Sequence, residues 1–220
     1  MKIMRTIVIS LAMILLSAPL IHGQDLSQYR NFSLGMSLAD LSRQISKQPA
    51  DASVVHEHPA LIQQLTWWPP VTSRSSLRTE AVQQIRFSFY NGELYRIGVS
   101  YDISATKGLT AEDMVQAMTT KYGTATGPAA EIKDNFGASD KVLARWEDPQ
   151  YSINLIRSWF SNSFGLAVFT KRLDTQAEAA SAEAVKLEKE EASQKELTRV
   201  KKATDDLEIE RQKNAQTFRP

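Results

Sequence analysis

Residues 81 to 102 constrain the fold most, because polar and apolar side chains alternate along this stretch in two successive runs. A period of two is the pattern of a β-strand with one buried face. The runs are separated by Asn91-Gly92, a dipeptide that favours a tight hairpin turn. The sequence therefore predicts an antiparallel hairpin. Its apolar side consists of Ile85, Phe87 and Phe89 in the first run and Tyr95, Ile97, Val99 and Tyr101 in the second.

The length of the turn decides which residues of the two strands face each other. A two-residue turn at Asn91-Gly92 would mix the polar and the apolar faces. A three-residue turn, with Gly92 left-handed in a bulge, sets Phe87 opposite Tyr95. It also sets Ile85 opposite Ile97. Because a buried face must be continuously apolar, we predict the bulged three-residue turn.

Two helix starts flank the hairpin, each with a hydroxyl capping residue and an acid three positions later. Ser37 opens the first predicted helix, which Pro49 ends. Thr110 opens the second, which ends at Gly123. We expect both helices to pack on the same face of the sheet. Their buried stripes are Met36, Leu41 and Ile45 in the first and Met114, Val115, Met118 and Tyr122 in the second.

The remaining elements complete an α+β fold. Three further strands are predicted at 142–147, 151–157 and 165–171, and a short helix is predicted at 60–65. The expected architecture is a five-stranded, mostly antiparallel sheet with two helices on one face, followed by a long charged helix.

The composition changes at residue 174. From 174 to 214 Ala, Glu, Lys and Gln dominate, and Gly and Pro are absent, which favours a helix. Its apolar residues do not keep one register, so a solvated single helix, self-association as a coiled coil and docking on a partner all remain open. The predicted organisation is a signal peptide at 1–23, a domain at 24–173 and a charged helical tail at 174–220.

The first 23 residues have the features of a cleaved signal peptide. Lys2 and Arg5 precede an apolar run from Thr6 to Leu16, which is shorter than the roughly 20 residues that span a bilayer. We expect cleavage after Gly23 and a periplasmic or secreted product. An uncleaved N-terminal anchor is the alternative. The chain contains no cysteine, so a lipid anchor of the bacterial lipoprotein type is not expected.

The formal net charge is +1, and a nearly neutral protein gives no reason to expect nucleic-acid binding, which depends on clustered Lys and Arg. No catalytic residue, cofactor or resident metal is predicted. His56 and His58 would point the same way in a strand and could share a metal, but a third ligand is not evident. A metal-binding protein or a hydrolase that uses this pair is the alternative.

The aromatic residues offer two candidate contact sites. Trp67-Trp68 precedes two prolines, and Trp159-Phe160 stands at the end of a predicted strand. Tryptophan in a rigid exposed loop is typical of an interface anchor. The competing interpretation is that these rings cover one end of the sheet.

The two helix starts also resemble each other, since residues 35–41 match residues 108–114. This similarity predicts a tandem repeat, with units at 32–107 and 108–173, unless capping chemistry was used twice independently.

The start Phe32-x-Leu-Gly-Met-Ser37 and the hairpin from Ile85 to Ile97 resemble a bacterial envelope fold. It is the fold of the outer-membrane-assembly lipoproteins of the SmpA/OmlA type and of the secreted β-lactamase-inhibitor proteins. The resemblance implies helices on one face of an antiparallel sheet, in tandem in the inhibitors, and a protein that binds other proteins and does not catalyse. It transfers no functional residue.

We therefore expect a non-catalytic periplasmic interaction module of the cell envelope. Its expected partner is another envelope protein, contacted through Trp67-Trp68 and the helical tail. Besides the metal-binding protein or hydrolase, a further alternative is a structural spacer that self-associates through the tail.

Overall fold

The computed structural model describes residues 25–70, 81–127, 132–133, 139–158 and 163–219. The predicted signal peptide, Trp159 and Phe160 lie outside the described residues. In chain order the elements are β1 (Gln28–Tyr29), β2 (Phe32–Ser33), α1 (Leu38–Gln44), a 3₁₀ turn (Pro49–Asp51), β3 (Ser53–His56), β4 (Ile62–Trp67), β5 (Val82–Tyr90), β6 (Glu93–Tyr101), α2 (Ala111–Tyr122), β7 (Ile132–Lys133), β8 (Ser139–Glu147), β9 (Tyr151–Arg157), β10 (Phe164–Thr170) and α3 (Lys171–Thr217).

One large antiparallel sheet dominates the described part of the chain, with the strand order β3-β4-β5-β6-β10-β9-β8-β7. Seven strands form its body, and the two-residue β7 pairs with the outer edge. β1 and β2 make a separate small hairpin. The predicted α+β class, antiparallel sheet and long C-terminal helix are confirmed. The predicted number of five strands is wrong.

The missed strands β3 and β4 occupy the region where we predicted a short helix at 60–65. Ile62 and Leu65 are three residues apart, a spacing that also suits a helix. In β4, however, they point to opposite faces of a sheet that is covered on both sides, and both are buried. A strand covered on both faces loses the simple alternation by which strands are recognised.

The two halves of the described chain have the same element order, a helix followed by four antiparallel strands. α1 precedes β3 to β6, and α2 precedes β7 to β10. The last strands of the halves, β6 and β10, meet antiparallel at the centre of the sheet. This order is the one that the tandem-repeat interpretation requires, and the repeat itself stays a prediction.

The central hairpin has a two-residue turn, so the predicted three-residue turn is wrong. Tyr90 pairs with Glu93, and Asn91 and Gly92 have φ angles of 49° and 83°. These positive angles are those of the tight turn that the dipeptide favours. The predicted pairs are also replaced, because Phe87 faces Ile97.

A bulge inside β6 explains how this turn is compatible with an apolar face. Phe89 pairs with Leu94, whereas Ser88 pairs with Arg96, which leaves Tyr95 as the extra residue. Leu94 and Ile97 lie in the main core, whereas Tyr95 packs on the other side of the sheet. The expected continuous apolar face therefore exists, but without Tyr95.

The main core lies between the sheet and the helices α1 and α2, which share one face as predicted. The side chain of Ser37 accepts a hydrogen bond from the Asp40 amide, and Thr110 and Asp113 form a complete capping box. α1 ends at Gln44, before the predicted stop at Pro49. The reason is a Schellman closure, with Ser46 at a φ of 56° and a 2.8 Å bond from the Lys47 amide to the Ser42 carbonyl.

α3 packs on the opposite face of the sheet. Arg96 contacts Asp174 of α3, while the next residue, Ile97, lies in the main core, and successive side chains of a strand point to opposite faces. The predicted boundary at 173/174 therefore falls inside a helix whose first turns cover the sheet. No described helix is both long and apolar enough to cross a membrane. The second apolar cluster contains Ala60, Ile62, Tyr95, Leu173, Ala177 and Ala180.

Candidate interaction surfaces

The first part of α3 is held on the sheet by one stripe of side chains spaced alternately by four and three residues. This spacing keeps them on one side of a helix. Three of the five are alanines, which let the helix approach the strands closely. The stripe stops after Leu187, because Glu191, Gln194 and Thr198 occupy the next equivalent positions. Its members are Leu173, Ala177, Ala180, Ala184 and Leu187, of which the first four are buried.

A buried ion pair fixes the start of α3. Nε and Nη2 of Arg96 each donate a 2.7 Å hydrogen bond to the Asp174 carboxylate. The guanidinium also lies 5.2 Å from the centre of the Phe169 ring. Burial lowers the pKa of Arg96, but the hydrogen bonds and charge of Asp174 outweigh burial, and the pKa is raised above its usual value. This two-bond geometry sets both position and direction of the helix.

A second contact lies where α3 passes the edge strand β3. Nδ1 of His56 is 3.0 Å from Oε1 of Glu188, whereas His58 is exposed in the loop that follows. His56 is thus engaged with α3, and the structure does not join the two histidines in one site. Within the described residues no group of three or more His, Cys, Asp or Glu side chains could hold a metal ion.

Beyond this contact α3 continues as a free rod, defined here as residues 189–217. Every residue of the rod is exposed. At about 1.5 Å per residue the rod extends for roughly 40 Å. Ion pairs within the helix run along it, including Glu196 with Arg199 at 2.8 Å and Glu208 with Arg211 at 2.6 Å. The hydrogen bond from Arg199 lowers the pKa of Glu196.

The rod nevertheless carries large apolar side chains. Leu197, Val200 and Leu207 are 64%, 51% and 67% exposed. Their spacing of three and seven residues places them on one side of the helix, with Thr204 between them. Leu197 follows Leu187 by ten residues, which rotates this second stripe away from the stripe that docks on the sheet. The break in register in the tail sequence therefore separates two surfaces.

The two tryptophans of the predicted contact site are separated by the fold. Trp67 is the last residue of β4, and its ring meets Phe32 edge-on at 5.8 Å. It packs against the main core. Trp68 points away and is 58% exposed. Trp67 thus matches the interpretation as a cover for the sheet, and Trp68 stays a candidate contact.

Single alanine substitutions should distinguish the two tryptophans. Trp67→Ala is expected to lower the free energy of unfolding by about 2 kcal/mol, because it opens space beside Phe32. Trp68→Ala should change it by less than about 0.5 kcal/mol. Urea denaturation at equilibrium measures both. Equal losses in the two variants would show that Trp68 also belongs to the packed structure.

Three tyrosines in the main core have perturbed pKa values. Burial raises the pKa of Tyr29, of Tyr101 and of Tyr122, the last to about 12. The hydroxyl of Tyr122 is enclosed, and no residue in the described ranges forms a hydrogen bond with it. Because no ligand can reach this oxygen in the described structure, we assign the group to packing.

No protein-family model and no curated protein sequence matches the chain. A solved structure of a cysteine-rich secretory protein from Staphylococcus aureus subsp. aureus Mu50 is similar at 11% identity and a TM-score of 0.33, over 64% of this chain and 44% of that protein. Such a low TM-score does not establish a shared fold. The resemblance to the envelope families stays a prediction.

Proposed function

We propose that this protein is a non-catalytic interaction module of the cell envelope, and that the rod of α3 is its partner-binding element. It reaches the periplasm, or is secreted, after cleavage near Gly23, and its partner is an envelope protein, either of another kind or a second copy of this chain. The proposal depends on three exposed side chains, Leu197, Val200 and Leu207. They lie on one side of the part of α3 that extends beyond the sheet.

The rod would be more stable with its apolar stripe covered by a partner than exposed to water. An isolated helix gains little stability in water without packing of an apolar face, and exposed ion pairs add only about 0.3–0.5 kcal/mol each. A partner helix or groove that covers the apolar stripe would supply the missing burial, as in helix recognition by grooves and coiled coils. The stripe is therefore better explained by a partner than by solvation.

The sheet holds the first part of α3, from which the rod extends. The Arg96–Asp174 pair and the docked alanines hold the first turns of α3 on the sheet, and Glu188 contacts His56 at the sheet edge just before the rod begins. Because one continuous helix joins the docked part to the free part, the rod leaves the body in a set direction. The fold thus presents the rod as a stiff extension.

Capture from an envelope extract tests the proposal. The variant Leu197→Lys/Leu207→Lys places charges in the apolar stripe and is expected to lose the proteins that the wild-type chain retains. Ala192→Lys/Ile209→Lys is the matched control, because it adds the same charge at exposed rod positions outside the stripe. Retention of the same proteins by the stripe variant would contradict the proposal.

A further inference from the structure

We propose that the rod binds the rod of a second copy of this chain, and that the two form a parallel two-stranded coiled coil. This inference rests on the proposed function of the rod and names its partner. The seam begins at Leu197 and follows the alternate three- and four-residue spacing of a heptad repeat. Its positions are Leu197, Val200, Thr204, Leu207, Arg211, Asn214 and Phe218.

Among the described residues, none covers the apolar seam positions. Leu197, Val200 and Leu207 form the first part of the seam, and Phe218, 73% exposed, directly follows the last residue of α3. A second copy aligned in parallel brings each of these side chains against its own equivalent. The seam begins ten residues after Leu187, about 15 Å of helix beyond the part of α3 that docks on the sheet.

Charges beside the seam favour the parallel arrangement. In a parallel pair, the residue just before Leu197 faces the residue that lies five positions further along the second copy. Glu196 therefore faces Lys201 of the second copy, and the pair occurs twice. At the next flanking positions Ala203 faces Glu208 and Glu210 faces Ala215, so these positions add no repulsion.

The antiparallel arrangement lacks this complementarity. Alignment of Leu197 with Leu207 of the other copy would set Lys201 against Lys201 and Glu196 against Glu210. Like charges at these positions oppose pairing. The flanking charges therefore favour the parallel orientation, against the repulsion between Arg211 and its own equivalent in the seam.

The pairing should be weak. Thr204, Arg211 and Asn214 interrupt the seam, and polar seam residues fix register at a cost in stability. We expect a dissociation constant on the order of 10 μM or higher, so the mass of the full chain should rise with concentration. A wild-type chain that sediments as a monomer at all concentrations up to about 1 mM would overturn the inference.

A charge exchange tests the orientation by sedimentation equilibrium of the full chain. Glu196→Lys alone and Lys201→Glu alone each convert two attractions into two repulsions, and each is expected to weaken self-association about tenfold. An equimolar mixture of the two variants makes every pair attractive again and should restore wild-type affinity. Failure of the mixture to recover would overturn the parallel pairing.

Two control variants separate the seam from general charge effects. Glu191→Lys makes the same change of charge outside the seam and removes a longer ion pair within the helix, with Lys195 at 3.8 Å. Lys202→Glu changes the charge beside Lys201 but on the far side of the helix. Both controls should associate like wild type. An increase in affinity for Glu196→Lys would indicate the antiparallel arrangement and overturn the parallel one.

Failure of this inference is distinguishable from failure of the proposed function. A monomeric wild-type chain that still captures an envelope protein, and loses it on Leu197→Lys/Leu207→Lys substitution, would refute self-pairing while supporting the rod as a binding element. A monomeric chain whose stripe variant captures the same proteins as wild type would refute both.

Discussion

Replacement of Asp174 by alanine is expected to lower the free energy of unfolding by about 3–5 kcal/mol. The substitution removes the carboxylate that accepts two 2.7 Å hydrogen bonds from Arg96, and it leaves the guanidinium charge in a site that is almost closed to water. The first turns of α3 also lose an anchor on the sheet. Urea denaturation at equilibrium measures the loss, and amide hydrogen exchange in residues 173–187 should become faster.

Two further variants show whether the buried charge causes this loss. Glu178 lies one turn along α3, with Oε1 at 3.7 Å from Nη2 of Arg96, and is largely exposed. Glu178→Ala should therefore cost less than about 1 kcal/mol. The double variant Arg96→Met/Asp174→Leu replaces the pair by apolar side chains and should recover most of the stability. If Asp174→Ala is no more damaging than Glu178→Ala, the pair does not hold α3 on the sheet.

Local patterns in the sequence predict the elements whose causes are local. Ser37 and Thr110 cap their helices by bonds to residues three positions later, so a seven-residue window contains the whole signal. Alternation likewise predicts β5, β6 and β9, because away from the bulges each of them buries every second side chain in the main core.

The features that the sequence does not reveal depend on distant contacts. The Arg96–Asp174 pair joins residues 78 positions apart, and no local pattern marks it. The bulge at Tyr95 has the same origin, because Tyr95 and Arg96 both serve the surface on which α3 docks. The alternation of polar and apolar residues in the hairpin therefore predicts the wrong turn length. The dipeptide Asn91-Gly92 indicates the observed two-residue turn directly.

The candidate rod could be predicted in part. The sequence marks Leu197, Val200 and Leu207 as apolar residues in a charged helix, and it shows that they do not share a register with Leu187. The cause of this change in register is the contact of the first part of α3 with the sheet, which the tail sequence does not show. Ala177 and Ala184 complete the docked stripe, but alanines in an alanine-rich helix carry no distinctive signal.

Replacement of Phe87 by alanine is expected to lower the free energy of unfolding by about 3–5 kcal/mol, because it opens a cavity at the centre of the main core. Phe87 is fully buried, it pairs with Leu65 on one side and Ile97 on the other, and its ring meets Phe32 at 4.8 Å. The N-terminal hairpin rests on this contact, so residues 26–34 should lose protection from hydrogen exchange first. Ile103→Ala truncates a large apolar side chain at an exposed position to which no contact is assigned, and it should change the stability by less than about 0.5 kcal/mol. Equal urea midpoints for Phe87→Ala and wild type would show that this face of the sheet is not the core.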